Sequence, residues 1–391
     1  MRFSSRVARL GGDGAAAWDI HSRAVERTRQ GDDVILLSIG DPDFDTPPAI
    51  VDSAIAGLRG GNTHYNDVVG DPPLRRAIAR QHTMLSGLET APEQVAVFSG
   101  AQNALFAAAM CLLDEGDEVI APEPMYVTYE AFLGASGARL ARVPSPRDNG
   151  FHFDPMAIQA AVNGSTRAIL LNTPNNPTGA VLTRAELEAV AEICCKHDLW
   201  LISDEVYASL TFEAEHISPC SLPGMAERTV TVSSLSKSHA MTGWRVGWTV
   251  SPPELVEHFE NLALCMLYGG PGFVHDGAVA ALTLDLPEVA AMKAEIRARR
   301  DLVCGLLANL PGLECLLPDA GMFVMVDIRA SGLSAHDYAS RLLDEQAVSV
   351  LPADAFGPSA QGHLRLGLCT SQETLRAACE RIATFALSLQ G

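Results

Sequence analysis

Several patterns that define common protein classes are missing from this chain of 391 residues. It has no apolar stretch as long as a membrane span that is free of charges and turn residues. The first residues, MRFSSRVARLGGDG, are basic but contain no apolar region of the kind found in a secretory signal. The nine cysteines are scattered and include no CxxC pair, which favours reduced thiols over a disulfide framework or a zinc site. These absences predict a cytoplasmic protein without membrane contact.

Positive charge is also scarce. Lys and Arg together number 28 against 47 Asp and Glu, which gives a formal net charge of -19. Binding to nucleic-acid phosphates needs a basic face, so no nucleic-acid partner is expected. The acidic balance does not by itself indicate a basic substrate, because such a balance more often serves solubility.

Three catalytic motifs are absent as well: HExxH, GxxxxGK[ST] and GxSxG. The GGDG near residue 11 lacks the strand and helix of a dinucleotide-binding fingerprint. No metal site is therefore expected, and the zinc protease, P-loop and serine hydrolase classes are disfavoured.

The middle of the chain alternates short apolar runs with helical patterns. This alternation predicts an α/β fold with a doubly wound, mostly parallel sheet that is covered on both faces. The candidate strands are Val95–Phe98, Glu118–Ile120, Ala168–Asn172, Leu199–Ser203, Thr229–Val232 and Val246–Val250, and the candidate helices include Ala101–Leu113 and Arg184–His197.

The pattern changes after about residue 285. A long amphipathic stretch, two strand-like runs and a helical segment predict a smaller α+β domain. They are Leu286–Leu310, Met322–Ile328, His363–Leu368 and Ser334–Glu345. A candidate N-terminal helix, Ala15–Gln30, is expected to pack on this unit. We therefore predict a large domain of residues 48–285 and a small domain made of residues 1–47 and 286–391.

The segment SSLSKSHAMTGWRVGW, residues 233–248, places Lys237 among hydroxyl groups directly after a predicted strand. A lysine that attacks an aldehyde must be partly desolvated so that its amine can lose a proton. Ser234, Ser236 and Arg245 offer donors for a phosphate beside it. Lys237 as a surface lysine on a polar turn is the alternative, and this segment alone does not decide between them.

The segment SDEVY places Asp204 at the carboxyl end of a buried strand, where open α/β sheets bind their ligands. A buried carboxylate there can keep the nitrogen of a pyridine cofactor protonated. Tyr207, three residues later, is placed to bind a ring oxygen of the same cofactor. Asp204 as the N-cap of a following helix is the structural alternative, and both roles are compatible.

Two further turns follow predicted strands. In VFSGAQNALF, the glycine lets the backbone N–H groups of Gly100, Ala101 and Gln102 approach an anion at a helix start, although many such turns bind nothing. In NTPNNPTG, residues 172–179, Asn176 is placed to donate to a ring oxygen or a substrate carboxylate. A purely architectural turn is the alternative for this second segment.

An aromatic ring and a buried arginine complete the candidates. Tyr126, in PEPMYVTYE, follows a strand and is suited to stacking on a pyridine ring. Arg365 stands inside the apolar run HLRLGL, where a guanidinium must find an anion. That anion is either a substrate carboxylate or a neighbouring Asp or Glu in a structural salt bridge.

These segments, in this order, resemble the class I aminotransferases of pyridoxal-phosphate (PLP) fold type I over nearly the whole chain. SIGDPDFDTP at 38–47 and THYNDVVGDPPLR at 63–75 belong to the same resemblance. It implies a PLP-dependent transferase fold with a mostly parallel large domain and a smaller α+β domain. It also implies a transaminase that acts on an amino acid and a 2-oxo acid.

The resemblance implies a role for each candidate. Lys237 looks like the Schiff-base lysine and 1,3-proton shuttle, Asp204 like the partner of the ring nitrogen, and Tyr207 and Asn176 like the ligands of the ring oxygen. Tyr126 looks like the stacking ring, and the phosphate ligands look like Ser234, Ser236 and Arg245 with the loop Gly100, Ala101 and Gln102. Arg365 matches the arginine that grips the substrate α-carboxylate, assisted by the Gly40 backbone. Tyr65 resembles a tyrosine that reaches the phosphate of the neighbouring subunit, which implies a homodimer with shared active sites.

Within the family, stretches such as NLALCMLYG are similar to those of arginine–pyruvate transaminases, which implies L-arginine as donor and pyruvate as acceptor. Another neutral, aromatic or basic donor, or a β- or γ-lyase on the same fold, is the alternative. Cys265, Met266 and Leu267 stand where aspartate-type enzymes carry an arginine, so aspartate is disfavoured. Gly272, His275 and Asp276 depart from the family pattern, and arginine would be in doubt if they lined the side-chain pocket.

Overall fold

The computed structural model describes residues 2–10 and 18–389. Residues 15–17 of the predicted N-terminal helix and the GGDG motif lie outside the described residues. Within the described ranges, no helix is both long and apolar enough to cross a membrane.

A sheet of seven strands forms the centre of the larger part of the molecule. In chain order these strands are β2 (Val95–Phe98), β3 (Glu118–Glu123), β4 (Arg139–Pro144), β5 (Thr166–Asn172), β6 (Trp200–Asp204), β7 (Thr229–Ser234) and β8 (Gly247–Val250). Their order across the sheet is β2-β8-β7-β6-β5-β3-β4. The pairs β3–β4, β3–β5, β5–β6 and β6–β7 are parallel, whereas β8 is antiparallel to both its neighbours. The predicted mostly parallel α/β fold is confirmed.

Helices cover both faces of this sheet, because its central strands are apolar on both sides. They are α3 (Pro48–Arg59), α4 (Pro72–Ser86), α5 (Ala101–Leu112), α6 (Tyr129–Ser136), α7 (Pro155–Ala161), α8 (Arg184–His197), α9 (Pro253–Met266) and α10 (Gly272–Thr283). One core contains residues of α5, α6 and α9, and a second contains residues of α7 and α8. Thr183 and Glu186 form a reciprocal capping box that starts α8.

The smaller part of the molecule has a four-stranded antiparallel sheet made of β9 (Glu314–Leu316), β10 (Phe323–Asp327), β12 (Leu351–Pro352) and β13 (His363–Gly367). The order across this sheet is β12-β13-β10-β9. The helices of this part are α11 (Pro287–Leu307), α12 (Ala335–Gln346) and α13 (Gln372–Ser388). The sheet and these helices share one hydrophobic core.

The N-terminal part of the chain joins that core. Helix α2 (Trp18–Arg29) buries Ile20 and Ala24 in it, and β1 (Ile35–Leu36) pairs in parallel with β11 (Val348–Ser349). A further short helix, α1 (Ser5–Arg9), instead contacts α6, with Arg9 Nη1 3.4 Å from Glu115 Oε1. The domain limits at residues 47 and 285 stay a prediction.

Candidate active site

A cavity of about 370 Å³ lies between the carboxyl ends of the large sheet's parallel strands and the smaller sheet. It brings together residues that the sequence analysis singled out on separate segments: Gly40, Ala101, Gln102, Tyr126, Asn176, Asp204, Tyr207, Ser234, Ser236, Lys237, Arg245 and Arg365. Asp204 ends β6 and Ser234 ends β7, so neighbouring strands deliver their terminal side chains to one edge. The strand ends of the large sheet therefore form one side of the site, and Phe323 on β10 and Arg365 on β13 of the smaller unit also line it.

Lys237 faces this cavity and is partly buried. Its Nζ donates a 2.5 Å hydrogen bond to the carbonyl oxygen of Gly40. Burial lowers the pKa of the amine, although Cys369 and Asp41 act in the opposite direction. The chain has only two other lysines, Lys196 and Lys293, and neither lines the cavity. Lys237 is therefore not a surface lysine on a polar turn.

Asp204 is buried, and its two carboxylate oxygens accept different donors. Oδ2 accepts from the hydroxyl of Tyr129 at 2.6 Å, and Oδ1 accepts from the backbone N–H of Val206 at 3.2 Å. Burial raises the pKa of Asp204 to about 6, whereas both hydrogen bonds lower it. A turn at residues 206–209 follows the strand, so Asp204 does not cap a helix as the structural alternative expected.

Tyr207 and Asn176 both line this cavity. Tyr207 is buried, with its ring centroid 6.3 Å from that of Phe323. The Asn176 backbone N–H donates to Asn172 Oδ1 at 2.8 Å, and its side-chain oxygen accepts from Arg365 at 3.1 Å. The Asn-rich turn is therefore more than an architectural connection, because Asn176 accepts a hydrogen bond from Arg365 on β13 of the smaller sheet.

Tyr126 lines the cavity and stands in the segment that leads into α6. Its ring packs edge-on against that of Tyr129, with centroids 5.9 Å apart and an interplanar angle of 83°.

An anion-binding corner forms where α5 begins. Arg245 is exposed and donates to the carbonyl oxygens of Thr242 at 2.9 Å and Ser99 at 3.2 Å. A Cβ on Gly100, whose φ is +89°, would lie 2.4 Å from Arg245 Nη2, so this close approach requires glycine. Ser234, Ser236 and the first residues of α5 line the same corner. Hydroxyls, a guanidinium and a helix N-terminus together suit a phosphate group.

Arg365 is only 3% exposed and lies between two aromatic rings, 4.0 Å from the Phe323 centroid and 5.1 Å from that of Phe356. It donates to Asn176 Oδ1 and to the carbonyl oxygen of Ser38 at 3.0 Å, while its Nε has no partner. Burial lowers the pKa of this guanidinium to about 10. No carboxylate of the described residues lies within 4.0 Å of it, so the structural salt bridge is absent.

Tyr65 lies outside the cavity of its own chain. Its side chain is 85% exposed and packs against Tyr268, with ring centroids 5.0 Å apart. This aromatic pair stands on the surface of the molecule.

Gly272, His275 and Asp276 also lie away from the cavity lining. Asp276 accepts a 2.8 Å hydrogen bond from Asn62, and His275 Nδ1 lies 3.1 Å from Asp71 Oδ2. Both contacts join α10 to the helices and loops beside it. Since these three residues do not line the cavity of their own chain, they give no argument there against arginine as the donor.

Sequence reasoning missed five residues that shape the site: Trp18, Ser38, Asp41, Tyr129 and Asn172. Two of them had a signal, since Tyr129 stands three residues after Tyr126 and Asn172 opens the Asn-rich turn. Ser38 and Asp41 stand in the SIGDPDFDTP motif, but their contacts, like the position of Trp18 at the cavity, became visible only in the folded chain.

Comparison with known proteins agrees with this geometry. Residues 32–382 match the family model described as aminotransferase class I and II. The chain is 59% identical to arginine–pyruvate transaminase AruH of Pseudomonas aeruginosa, with full coverage of both chains. It is also 33% identical to the aspartate aminotransferase of Geobacillus stearothermophilus, over 98% of this chain and 99% of that one.

Solved structures are similar as well. The Thermus thermophilus aspartate aminotransferase with maleate superposes with a TM-score of 0.92 at 36% identity, covering 98% of this chain and 100% of the other. The aromatic aminotransferase of Pyrococcus horikoshii gives a TM-score of 0.89 at 35% identity, with coverage of 94% and 99%. The similarity thus extends over both parts of the molecule.

Proposed function

We propose that this chain, which belongs to the class I and II aminotransferases, transfers the α-amino group of L-arginine to pyruvate. As a member of this family it is a PLP-dependent transaminase. The observation that carries the proposal is Arg365, a buried guanidinium without a carboxylate partner among residues 2–10 and 18–389, facing the same cavity as Lys237. The substrate pair is supported by the likeness to the Pseudomonas aeruginosa transaminase.

The residues around the cavity fit PLP. The corner formed by Arg245, Ser234, Ser236 and the start of α5 would hold its phosphate, and Asp204 would face its ring nitrogen. Tyr207 and Asn176 would bind the ring oxygen, and Tyr126 would stack on the ring. When bound, PLP withdraws electrons from the α-carbon of the substrate.

Lys237 is the residue that moves protons in this proposal. Since burial lowers the pKa of its amine, a larger fraction of Nζ is neutral and able to act as nucleophile and base. Nζ takes the proton from the substrate Cα, and the carbonyl of Gly40 holds the amine in position. The role of Lys237 is therefore both attachment and proton transfer.

Arg365 orients the substrate. A substrate carboxylate would satisfy the free Nε and the charge of a guanidinium that the protein itself leaves unpaired. Holding the carboxylate at one point sets the direction of the Cα–H bond relative to Lys237. The low exposure of Arg365 strengthens this ionic contact, because little water competes for it.

The test is a half-reaction screen of the PLP-loaded protein against the common amino acids, followed by pyruvate and 2-oxoglutarate as acceptors. We expect L-arginine alone to convert the cofactor absorbance to that of the amine form, and pyruvate to restore it. No response to millimolar L-arginine would reject the substrate assignment. Release of ammonia with recovery of the starting spectrum would instead indicate a lyase.

We also infer a homodimer with shared active sites, supported by the exposed Tyr65 ring on the surface of the chain. The partner subunit would bring this hydroxyl to the phosphate corner. Mixing Tyr65→Phe and Lys237→Ala subunits should give hybrid dimers with one site that carries both intact residues. Activity of the mixture above the average of the two variants would support the proposal, and no gain over that average would reject it.

A further inference from the structure

We propose that Asp41 selects donors with a cationic side chain by pairing with that cation across the cavity. This inference rests on the proposed function and assigns a specificity-determining residue to it. Asp41 lies on the irregular segment between β1 and α3, which forms one wall of the cavity.

The first argument is the balance of charges around the cavity. Among the described residues that line it, Lys237, Arg245 and Arg365 are cationic, and Asp41 and Asp204 are anionic. The phosphate and the substrate carboxylate account for the two guanidinium groups, and a ring nitrogen accounts for Asp204. Lys237 is taken up by its attachment to the cofactor in the proposed function, so Asp41 is the charge that remains, and a cationic substrate side chain would pair with it.

The second argument is that Asp41 has acceptor capacity left. It is exposed, and one oxygen accepts a 2.7 Å hydrogen bond from the hydroxyl of Thr242. A carboxylate offers about four lone-pair sites, so a guanidinium can bind without displacing Thr242. Asp204, in contrast, is buried with both oxygens engaged.

The third argument is distance along the wall. The Ser38 carbonyl accepts from Arg365, and the Gly40 carbonyl accepts from Lys237, so the segment passes the carboxylate site and then the amine before it reaches Asp41. Three residues span at most about 10 Å, and the extended side chain of arginine covers about 6 Å from Cα to the guanidinium carbon. The side chain of Asp41 and a hydrogen bond of about 2.9 Å add to that reach, so together they can bridge the distance from a donor held by Arg365.

Trp18 supplies an aromatic surface in the same cavity. It opens α2 and packs edge-on against His21, with ring centroids 5.8 Å apart. An indole face favours a guanidinium that passes over it. The carboxylate and the aromatic ring together suit an extended cationic side chain better than a neutral one.

Asp41 also acts on the reactive lysine, because its charge raises the pKa of Lys237 against the larger effect of burial. Replacing Asp41 will therefore change the rate with every donor. The informative quantity is the ratio of kcat/KM for two donors. An effect of Asp41 on Lys237 changes both values alike and therefore cancels in this ratio.

The experiment compares kcat/KM for L-arginine, L-lysine and the uncharged L-norleucine in the PLP-loaded enzyme. In Asp41→Asn we expect the arginine-to-norleucine ratio to fall about tenfold or more, since a hydrogen bond between charged groups is lost. Asp41→Glu should restore most of the ratio. The matched control is Asp45→Asn, which removes an exposed carboxylate from the same segment outside the cavity and should leave the ratio unchanged.

A binding measurement without chemistry accompanies the kinetics. δ-Guanidinovalerate and hexanoate both carry a carboxylate and no α-amino group, so calorimetry on the loaded enzyme reports recognition alone. The preference for the guanidinium compound should fall in Asp41→Asn by a factor similar to the kinetic one, and persist in Asp45→Asn.

Each outcome decides a different point. A constant ratio in Asp41→Asn, with both donors slowed in parallel, would overturn the inference and leave the proposed function standing. If arginine is no donor but lysine exceeds norleucine only while Asp41 is present, the inference holds and the proposed function fails. A wild-type enzyme that favours no cationic donor would overturn both.

Discussion

The two walls of the cavity differ in how their charged groups are held. On the wall of the large sheet, Asp204 is buried at a strand end and has two donors of its own, Tyr129 and Val206. On the wall of the smaller unit, Arg365 is buried in the middle of β13, and the acceptors it finds among the described residues are all neutral and leave one nitrogen free. The first group is satisfied within the protein, whereas the second still needs an anion.

This difference matches the two ligands of the site, a cofactor that stays bound and a substrate that enters and leaves. A cofactor that stays bound can be held by side chains that are already ordered by their own hydrogen bonds. A substrate that enters and leaves must instead supply something the empty site does not have, and here that is a negative charge beside Arg365. We therefore expect substitutions on the two walls to affect different measurements.

The largest effect is expected at Lys237, where the two walls meet. Lys237→Ala should reduce turnover by about 10³-fold or more, because both the nucleophile and the proton carrier are removed. Steady-state transamination checks this, with Lys293→Ala on α11 as the control for loss of a lysine elsewhere. Turnover retained in Lys237→Ala would contradict the assignment.

The next effect separates the walls directly. Arg365→Lys keeps the positive charge but loses the planar fork, and we expect kcat/KM to fall about 100-fold, or about 3 kcal/mol. The affinity for PLP should change by less than about threefold in the same variant. Absorbance titration with the cofactor checks the second part. Equal losses of cofactor affinity and of kcat/KM in Arg365→Lys would contradict the claim that the two walls bind different ligands.

Asp204 gives a pH effect of about 3 kcal/mol, since its pKa is raised by burial from 3.8 to about 6 in the folded protein without cofactor. The folded state therefore holds this proton more tightly than the unfolded state. The stabilising contribution is fully present below about pH 4 and is lost as pH rises through about 6.

Denaturation of the cofactor-free wild type and Asp204→Asn between pH 4 and 8 measures this contribution. The free energy of unfolding of the wild type, relative to the variant, should fall as pH rises. Bound PLP should weaken the trend, because a cationic ring nitrogen stabilises the carboxylate. Identical pH dependence in both cofactor-free proteins would show that burial does not perturb Asp204.

The smallest effect concerns Tyr129. Tyr129→Phe removes the 2.6 Å hydrogen bond to Asp204, and we expect kcat/KM to fall about fivefold to tenfold. Since that bond lowers the pKa of Asp204, its loss should also move the acidic limb of the pH profile upward. Tyr338→Phe is the matched control, because its buried hydroxyl has no partner among the described residues. Equal losses in both variants would indicate a general packing effect.

The large-sheet wall could be predicted because one physical rule covers it. Apolar runs predict buried strands, parallel strands end at one edge, and polar residues directly after them meet there. Asp204, Lys237 and Asn176 all follow this rule. The antiparallel direction of β8 was not predicted, since a short apolar run such as Gly247–Val250 carries no information about its direction.

The smaller-unit wall could be predicted only in part. Arg365 was predicted to need an anion because it is a charge in an apolar strand. The sequence left open whether that anion is a substrate carboxylate or an Asp or Glu of the same chain. Ser38 and Asp41 stand in the motif SIGDPDFDTP, but nothing in that motif shows which residues they contact, because those partners are far away in the chain. Tyr129 was missed although it is near Tyr126, since nothing in a helix start shows which strand its hydroxyl will reach.

The sequence by itself therefore determined six of the seven strands of the large sheet, the turn residues after them, the family and Lys237 as its central residue, because these depend on local pattern and spacing. Strand β4 was not predicted, because this edge strand is only partly buried and has no continuous apolar run. Only the tertiary structure decided that Tyr129 reaches Asp204 across 75 positions and that Arg365 meets Ser38 across 327. It also decided that none of the carboxylates in the described part of the chain lies beside Arg365 and that Asp41 lines the same cavity. These facts depend on how the two units pack, and packing is a property of the whole chain.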